Sequence, residues 1–216
     1  MLKNKFGYSL KEEYINTATH VLGLIISIIG SLFIIINTAI NHDEWNYIFS
    51  TIIFSISLIL MYSSSSLYHG IKNNKLKTIF RKLDRCAIYI LIAGSYTPFT
   101  LISMYSSSGL FLFVFIWCLA IVGIMIEIFS FKYSFYISMI LYPLMGWTVL
   151  FFWGSLSQAL DMNGLILIIL GGLFYSVGII FFVFENILYN HAIWHCFVLA
   201  GSFSHYFAVL YCLEII

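Results

Sequence analysis

From Cys86 to Ile126 the chain carries no charged side chain, and only the small polar segment SMYSSSG at 103–109 interrupts its apolar character. A helix of roughly 20 apolar residues already spans the hydrocarbon of a bilayer. This stretch is too long for one such crossing and divides into two at the SMYSSSG segment. The rest of the chain has the same character. Hydrophobic types make up 62% of the 216 residues and charged types 9%, against about half and about a quarter in a soluble domain. So few charges cannot clothe a water-facing surface of this size, and the chain reads as a polytopic membrane protein, all-α.

Seven crossings follow. The first runs from Val21 to about Ile40 and the second from about Tyr47 to Tyr68. The third and fourth divide Cys86–Ile126, the fifth covers about Tyr133–Phe152, the sixth Leu165–Phe184 and the seventh His191–Leu213. They form one transmembrane domain over 1–216, with 1–16 as a cytoplasmic segment leading into the first span. Ser9 followed by Glu12 is a capping-box pattern, so SLKEEYINTATH is expected to run as helix into that span. The first apolar run has no small-residue cleavage pattern after it and is not read as a removable signal.

Lysines and arginines fix the orientation. Lys3, Lys5 and Lys11 precede the first span. Lys72, Lys75, Lys77, Arg81, Lys82 and Arg85 lie between spans two and three, and Lys132 lies between four and five. Together they are all 10 basic residues. Positive residues stay on the cytoplasmic side, which puts the N-terminus inside and the C-terminus outside. Receptors of the rhodopsin type have the opposite orientation. A net charge of +1, no glycine-rich phosphate loop and no basic stripe argue against a nucleic-acid partner. The four cysteines form no CxxC pair and are expected to serve helix packing.

Within this orientation the unusual polar groups fall at one depth. Glu13, Asn16, Thr19 and His20 lie at the inner start of span one, Ser65 and His69 at the inner end of span two, Asp84 at the inner start of span three, and His191 and His195 at the inner start of span seven. Histidines at i and i+4 project from one helix face, so both rings of HAIWH can reach one ion, with His69 as a third ligand. Nitrogen ligands without thiolate suit zinc best, other first-row metals being possible. Three protein ligands with one open position is the arrangement of a catalytic site. Asp84 would then act as base and Ser65 as a hydrogen-bonding partner, with Glu13, Asn16 and His20 around the ligands. Blander roles stand beside these. The paired histidines could make interhelical hydrogen bonds. Asp84 could cap span three or pair with Arg85 or Lys82. Ser65 could serve packing, Glu127 and Glu185 could be solvated interface charges, and the basic 2–3 loop a topology signal touching anionic lipid.

The blocks EYINTATHVLG, SSLYH with LDRCAIYILIAGSYTPF, and HAIWHCFVLAGSFSHYF resemble the hemolysin III branch of the progestin-and-adipoQ-receptor family and, more distantly, the alkaline ceramidases. The resemblance covers essentially the whole chain. It implies a seven-helix fold with an inside N-terminus, and zinc held by the histidines matching His69, His191 and His195, with Ser65 and Asp84 nearby. Relatives often carry a histidine directly after the aspartate; here the residue is Arg85. The family includes receptors, suspected hydrolases, and bacterial proteins tied to membrane homeostasis or labelled hemolysins. The expected function is a zinc-dependent hydrolase of a lipid-like amide or ester, with membrane lipids as its surroundings and partners. A membrane-homeostasis regulator with a structural zinc is the alternative. A hemolysin-type pore-former is the third reading, and the Ile, Leu and Phe of the outer half of most spans disfavour it.

Overall fold

The computed structural model of the chain describes residues 7–129, 131–184 and 186–216. Lys3, Lys5 and Glu185, which entered the sequence argument, lie outside the described residues. Seven helices are long and apolar enough to cross a membrane: α1 (Leu10–Asn41), α2 (Trp45–Gly70), α3 (Asn74–Ser103), α4 (Gly109–Ile128), α5 (Ser134–Ala159), α6 (Met162–Val183) and α7 (Asn190–Cys212). Among the described residues there is no strand.

α1 starts where the capping box places it. The Glu12 amide donates to Ser9 Oγ at 3.3 Å and the Ser9 amide donates to Glu12 Oε2 at 2.7 Å. Two free N–H groups of the first turn are thereby satisfied. The charged segment after span two is not the loop that its composition suggested. Only Ile71–Asn73 turn, and Asn73 Oδ1 caps the next helix by accepting from the Lys75 and Leu76 amides at 3.0 and 3.2 Å. The reason is periodicity: the segment is an amphipathic first half of α3. Lys75, Arg81 and Lys82 are exposed, while Lys77 and Asp84, two turns apart on one face, are buried.

The far ends of two helices are irregular for a stated cause. Pro98 cannot donate to the helix ladder, and Phe99–Ser103 widen into a π turn. Thr97 and Thr100 hydroxyls donate to the Ala93 and Tyr96 carbonyls, both at 2.9 Å, so backbone acceptors around the break stay satisfied in an apolar medium. α5 carries Pro143 and tightens into a 3₁₀ turn at Thr148–Phe152 before running on to Ala159, past its expected end. The Tyr96 hydroxyl bridges this irregular stretch. It donates to the Met145 and Gly146 carbonyls and accepts from the Val149 amide at 3.0 Å.

Each helix packs on its neighbour in sequence around a ring that α1 and α7 close, and α3 also touches α5 and α7 from within. α2, α3 and α7 are half or more buried along their apolar windows, at 56, 72 and 50%, while the other four present most of theirs to the outside. Exposed Ile29, Phe111, Tyr136 and Phe151 are of this outer kind, as a lipid-facing wall requires. All four cysteines are free thiols. In α7, His205 Nε2–H donates to the Ile168 carbonyl of α6 at 3.2 Å, a hydrogen bond between helices.

Candidate metal centre

The three helices with the deepest burial and the start of α1 meet at the inner end of the bundle. His69 (α2), His191 and His195 (α7) are all buried, and one ligand nitrogen from each lies within 4.8 Å of the others. His69 Nε2 and His191 Nε2 are 3.1 Å apart. Two nitrogens each bound at ~2.0–2.1 Å and at a tetrahedral angle to one ion stand ~3.3 Å apart, so the pair is already at coordination distance.

What lies behind each ring decides whether its Nε2 can be a ligand. His69 Nδ1–H donates to Glu13 Oε2 at 2.7 Å, and Lys77 Nζ donates to the other oxygen of Glu13 at 2.8 Å. The same Lys77 ammonium donates to the carbonyls of Tyr68 and His69 at 2.7 and 3.3 Å. A buried lysine is thus the anchor of the carboxylate that orients His69. His195 Nδ1–H points at the Asn16 carbonyl, 3.2 Å away, and at Thr19 Oγ1, 3.0 Å away. His191 Nδ1 is 3.1 Å from the Tyr8 hydroxyl. With Nδ1–H donating in all three, each Nε2 keeps its lone pair. A metal-binding histidine normally donates its other ring N–H to a carboxylate, carbonyl or hydroxyl in this way. The donor set and its outer partners therefore fit a metal ion.

The remaining residues singled out from the sequence are placed as follows. Asn16 serves His195 through its main-chain carbonyl; its side-chain amide has no hydrogen-bond partner among the described residues. His20 stacks face to face on His195, ring centroids 3.5 Å apart, with its edge toward Tyr62. Asp84 is buried on α3 beside Ser65 of α2. Neither Asp84 Oδ1 nor Ser65 Oγ has a hydrogen-bond partner among the described residues.

Two of the blander roles are corrected. Asp84 does not cap α3, which starts more than two turns earlier, and among the described residues Arg85 and Lys82 find partners elsewhere. Arg85, about 100° further round the helix, forms an ion pair with Glu127 of α4 at 2.9 Å. Lys82 Nζ lies 3.4 Å from the Ile128 carbonyl. Glu127 is accordingly not a solvated interface charge. It is 2% exposed, and the Ser138 hydroxyl of α5 donates to the same carboxylate oxygen. Arg85, on the adjacent helix, supplies the counter-charge that makes this burial tolerable.

Sequence reading missed two participants. Lys77 was counted among topology charges, and its position two turns before Asp84 was the available signal. Tyr8 lies in the segment before the first span. Nothing in the spacing marked it, although its ring packs against both His69 and His191, at centroid distances of 5.4 and 5.0 Å. Burial holds the Tyr8 hydroxyl in its neutral form, well above the usual tyrosine range.

An apolar cavity lies farther into the bundle, between α2, α3, α5, α6 and α7. Met61, Leu91, Tyr142, Trp194, Val198 and His205 are among the residues that line it. Trp194 and Val198 bring α7 into this lining, one residue before and three after His195 in sequence.

Comparison with known proteins agrees with this architecture. A family model described as "Haemolysin-III related" matches residues 8–206. The chain is 42% identical over 209 residues to "Hemolysin-3 homolog" of Bacillus subtilis (strain 168), covering 96% of this chain and 98% of the relative. It is 41% identical over 202 residues to "Hemolysin-3" of Bacillus cereus, covering 94% and 92%. It is 29% identical over 205 residues to "Monocyte to macrophage differentiation factor" of Homo sapiens, covering 92% and 83%.

Proposed function

The chain belongs to the haemolysin-III-related family, a multi-pass membrane protein, and on that premise we propose that it is a zinc-dependent hydrolase acting on an amide or ester of a lipid-like molecule. The observation that carries this reading is the cluster itself. Three imidazole nitrogens lie within 4.8 Å of one another, each is oriented from behind, and Asp84 and Ser65 lie side by side, buried on α3 and α2. Nitrogen-only ligands favour zinc among first-row metals, and three of them leave a fourth position for water or substrate. Zinc held there supplies Lewis-acid activation of a water and of a carbonyl group.

The protein's own residues do the rest. Glu13, fixed by Lys77, holds His69 in the tautomer that presents Nε2, and the Asn16 carbonyl does the same for His195. Asp84 accepts the proton of the attacking water, and Ser65 donates a hydrogen bond to Asp84 or to a substrate oxygen. The apolar cavity that Trp194 and Val198 of α7 help to line takes the hydrocarbon part of the substrate and keeps bulk water away. The test is purified protein with stoichiometric zinc, assayed against ceramide, phospholipid and acyl-amide substrates. Cleavage that Asp84→Asn abolishes while zinc stays bound supports the reading. Zinc-loaded protein that cleaves none of these classes overturns it.

One observation favours a second reading, a non-enzymatic regulator of membrane state. Lys77, Glu13 and His69 already tie α1, α2 and α3 together, and a metal shared with His191 and His195 would add α7 as a structural clasp. In that case Asp84→Asn would keep both the metal and the cellular phenotype.

A further inference from the structure

Tyr68, Phe182, Glu13, Thr19 and His20, which touch the rings of His69, His191 and His195, all belong to spanning helices, whereas Tyr8, against His69 and His191, precedes the first of them. Glu13 and Lys77 cover His69, while Asn16, Thr19 and His20 cover His195. Phe182 of α6 lies against His191 at 5.5 Å. Tyr8 comes from the side that the lysines and arginines mark as cytosolic, and its ring lies 5.4 and 5.0 Å from the rings of His69 and His191.

We propose that Tyr8 is the stopper of this centre: its ring closes the water-side approach to the histidines, its hydroxyl orients His191, and its outward swing admits water, ions and polar reactants. The local chain suits that task. Gly7 has φ +91°, a backbone conformation that residues with a side chain rarely adopt. It turns the chain so that Tyr8 points inward, and Ser9 then fixes the start of α1. Tyr8 itself is outside the helix, so no ladder hydrogen bond has to break for it to leave. Its hydroxyl lies 3.1 Å from His191 Nδ1 and its ring rests against the rings of His69 and His191. The helices on the other sides cannot part as cheaply, because each is hydrogen-bonded along its length and packed on its neighbours. In the tautomer that offers Nε2 to a metal, His191 Nδ1–H donates to the Tyr8 oxygen. The stopper is thus also a positioning residue for one ligand.

The test compares full-length wild type, Tyr8→Phe, Tyr8→Ala and Gly7→Ala. Metal-stripped protein is treated with diethyl pyrocarbonate, and modification of each histidine is followed by peptide mass spectrometry. Tyr8→Ala should raise the reaction rate of His191 at least about tenfold, the effect of removing a local barrier to opening. Tyr8→Phe keeps the ring and should stay close to wild type. Gly7→Ala adds a methyl group in open space but strains the turn, and should fall between the two. His205 is the internal control, buried against α6, and should remain unreactive throughout. Equal His191 rates in wild type and Tyr8→Ala overturn the proposal. So does a Tyr8→Ala protein in which His205 reacts as fast as His191, because the bundle rather than the stopper has then opened. A second arm rests on the metal reading above: zinc release to EDTA should accelerate in Tyr8→Ala in parallel with His191 modification. Protein that binds no zinc would refute that reading, and the modification arm would still decide the role of Tyr8.

Discussion

Lys77 shows how a charge can be spent inside a membrane protein. It is 3% exposed, yet its ammonium donates to a Glu13 carboxylate oxygen and two main-chain carbonyls and lies over the Tyr68 ring at 4.9 Å. Uncompensated, such a burial would be prohibitive. Satisfied, it fixes the carboxylate that fixes His69. Elemental analysis of purified wild type should find bound metal, and His69→Ala and His191→Ala should each lose it. Glu13→Gln and Lys77→Met leave the ligands intact but remove the support behind His69. Both should weaken metal binding by about 10–100-fold, the usual cost of losing an outer partner, measured by competition with a chromogenic chelator. At this scale much of the centre was legible beforehand, because intramembrane histidines and carboxylates are costly enough to stand out. What could not be read was direction. Asn16 was visible as a polar residue in the right place, but the group that reaches His195 is its carbonyl, which every residue possesses.

Among the helices, α3 teaches the most. Its first half looks like a loop when charges are counted and like a helix when they are placed on a wheel, since Lys77 and Asp84 fall on one buried stripe and Lys75, Arg81 and Lys82 on the exposed side. Charge density misled where periodicity would have served. The existence and order of the seven spans were legible from hydropathy alone, but the π turn after Pro98 and the 3₁₀ turn in α5 were not, because they depend on which hydroxyls rescue the freed carbonyls. Two tests belong here. Ser9→Ala removes the cap of α1 and should cost about 1 kcal/mol, read as a lower thermal midpoint. Arg85→Met leaves Glu127 buried without its counter-charge and should destabilise by about 3–5 kcal/mol, whereas the double variant Arg85→Met with Glu127→Met should recover much of that loss, measured by unfolding in mixed detergent micelles.

For the whole molecule, the centre joins helices from the two ends of the chain. α1 and α2 supply Glu13 and His69, and α7, the last helix, supplies His191 and His195. A metal bound there would therefore tie the ring of helices where its beginning and end meet. Chelation should lower the thermal midpoint of purified protein, and re-addition of zinc should restore it, while His191→Ala should already sit at the lower value and respond to neither. Orientation is testable on the same molecule: Cys196 near the inner end and Cys212 near the outer end are both free thiols. Reporter fusions should find the C-terminal side outside the cytoplasm and the Ile71–Asn73 turn inside.

Asp84 and Arg85 are consecutive, yet they look in different directions, one toward Ser65 on α2 and the other toward Glu127 on α4. Adjacent letters in the sequence thus belong to separate neighbourhoods of the bundle. A histidine placed at 85 would hang over Glu127 and Phe135 instead of enlarging the ligand set. That position is free to be retuned to whatever α4 and α5 offer, with the three coordinating rings left undisturbed.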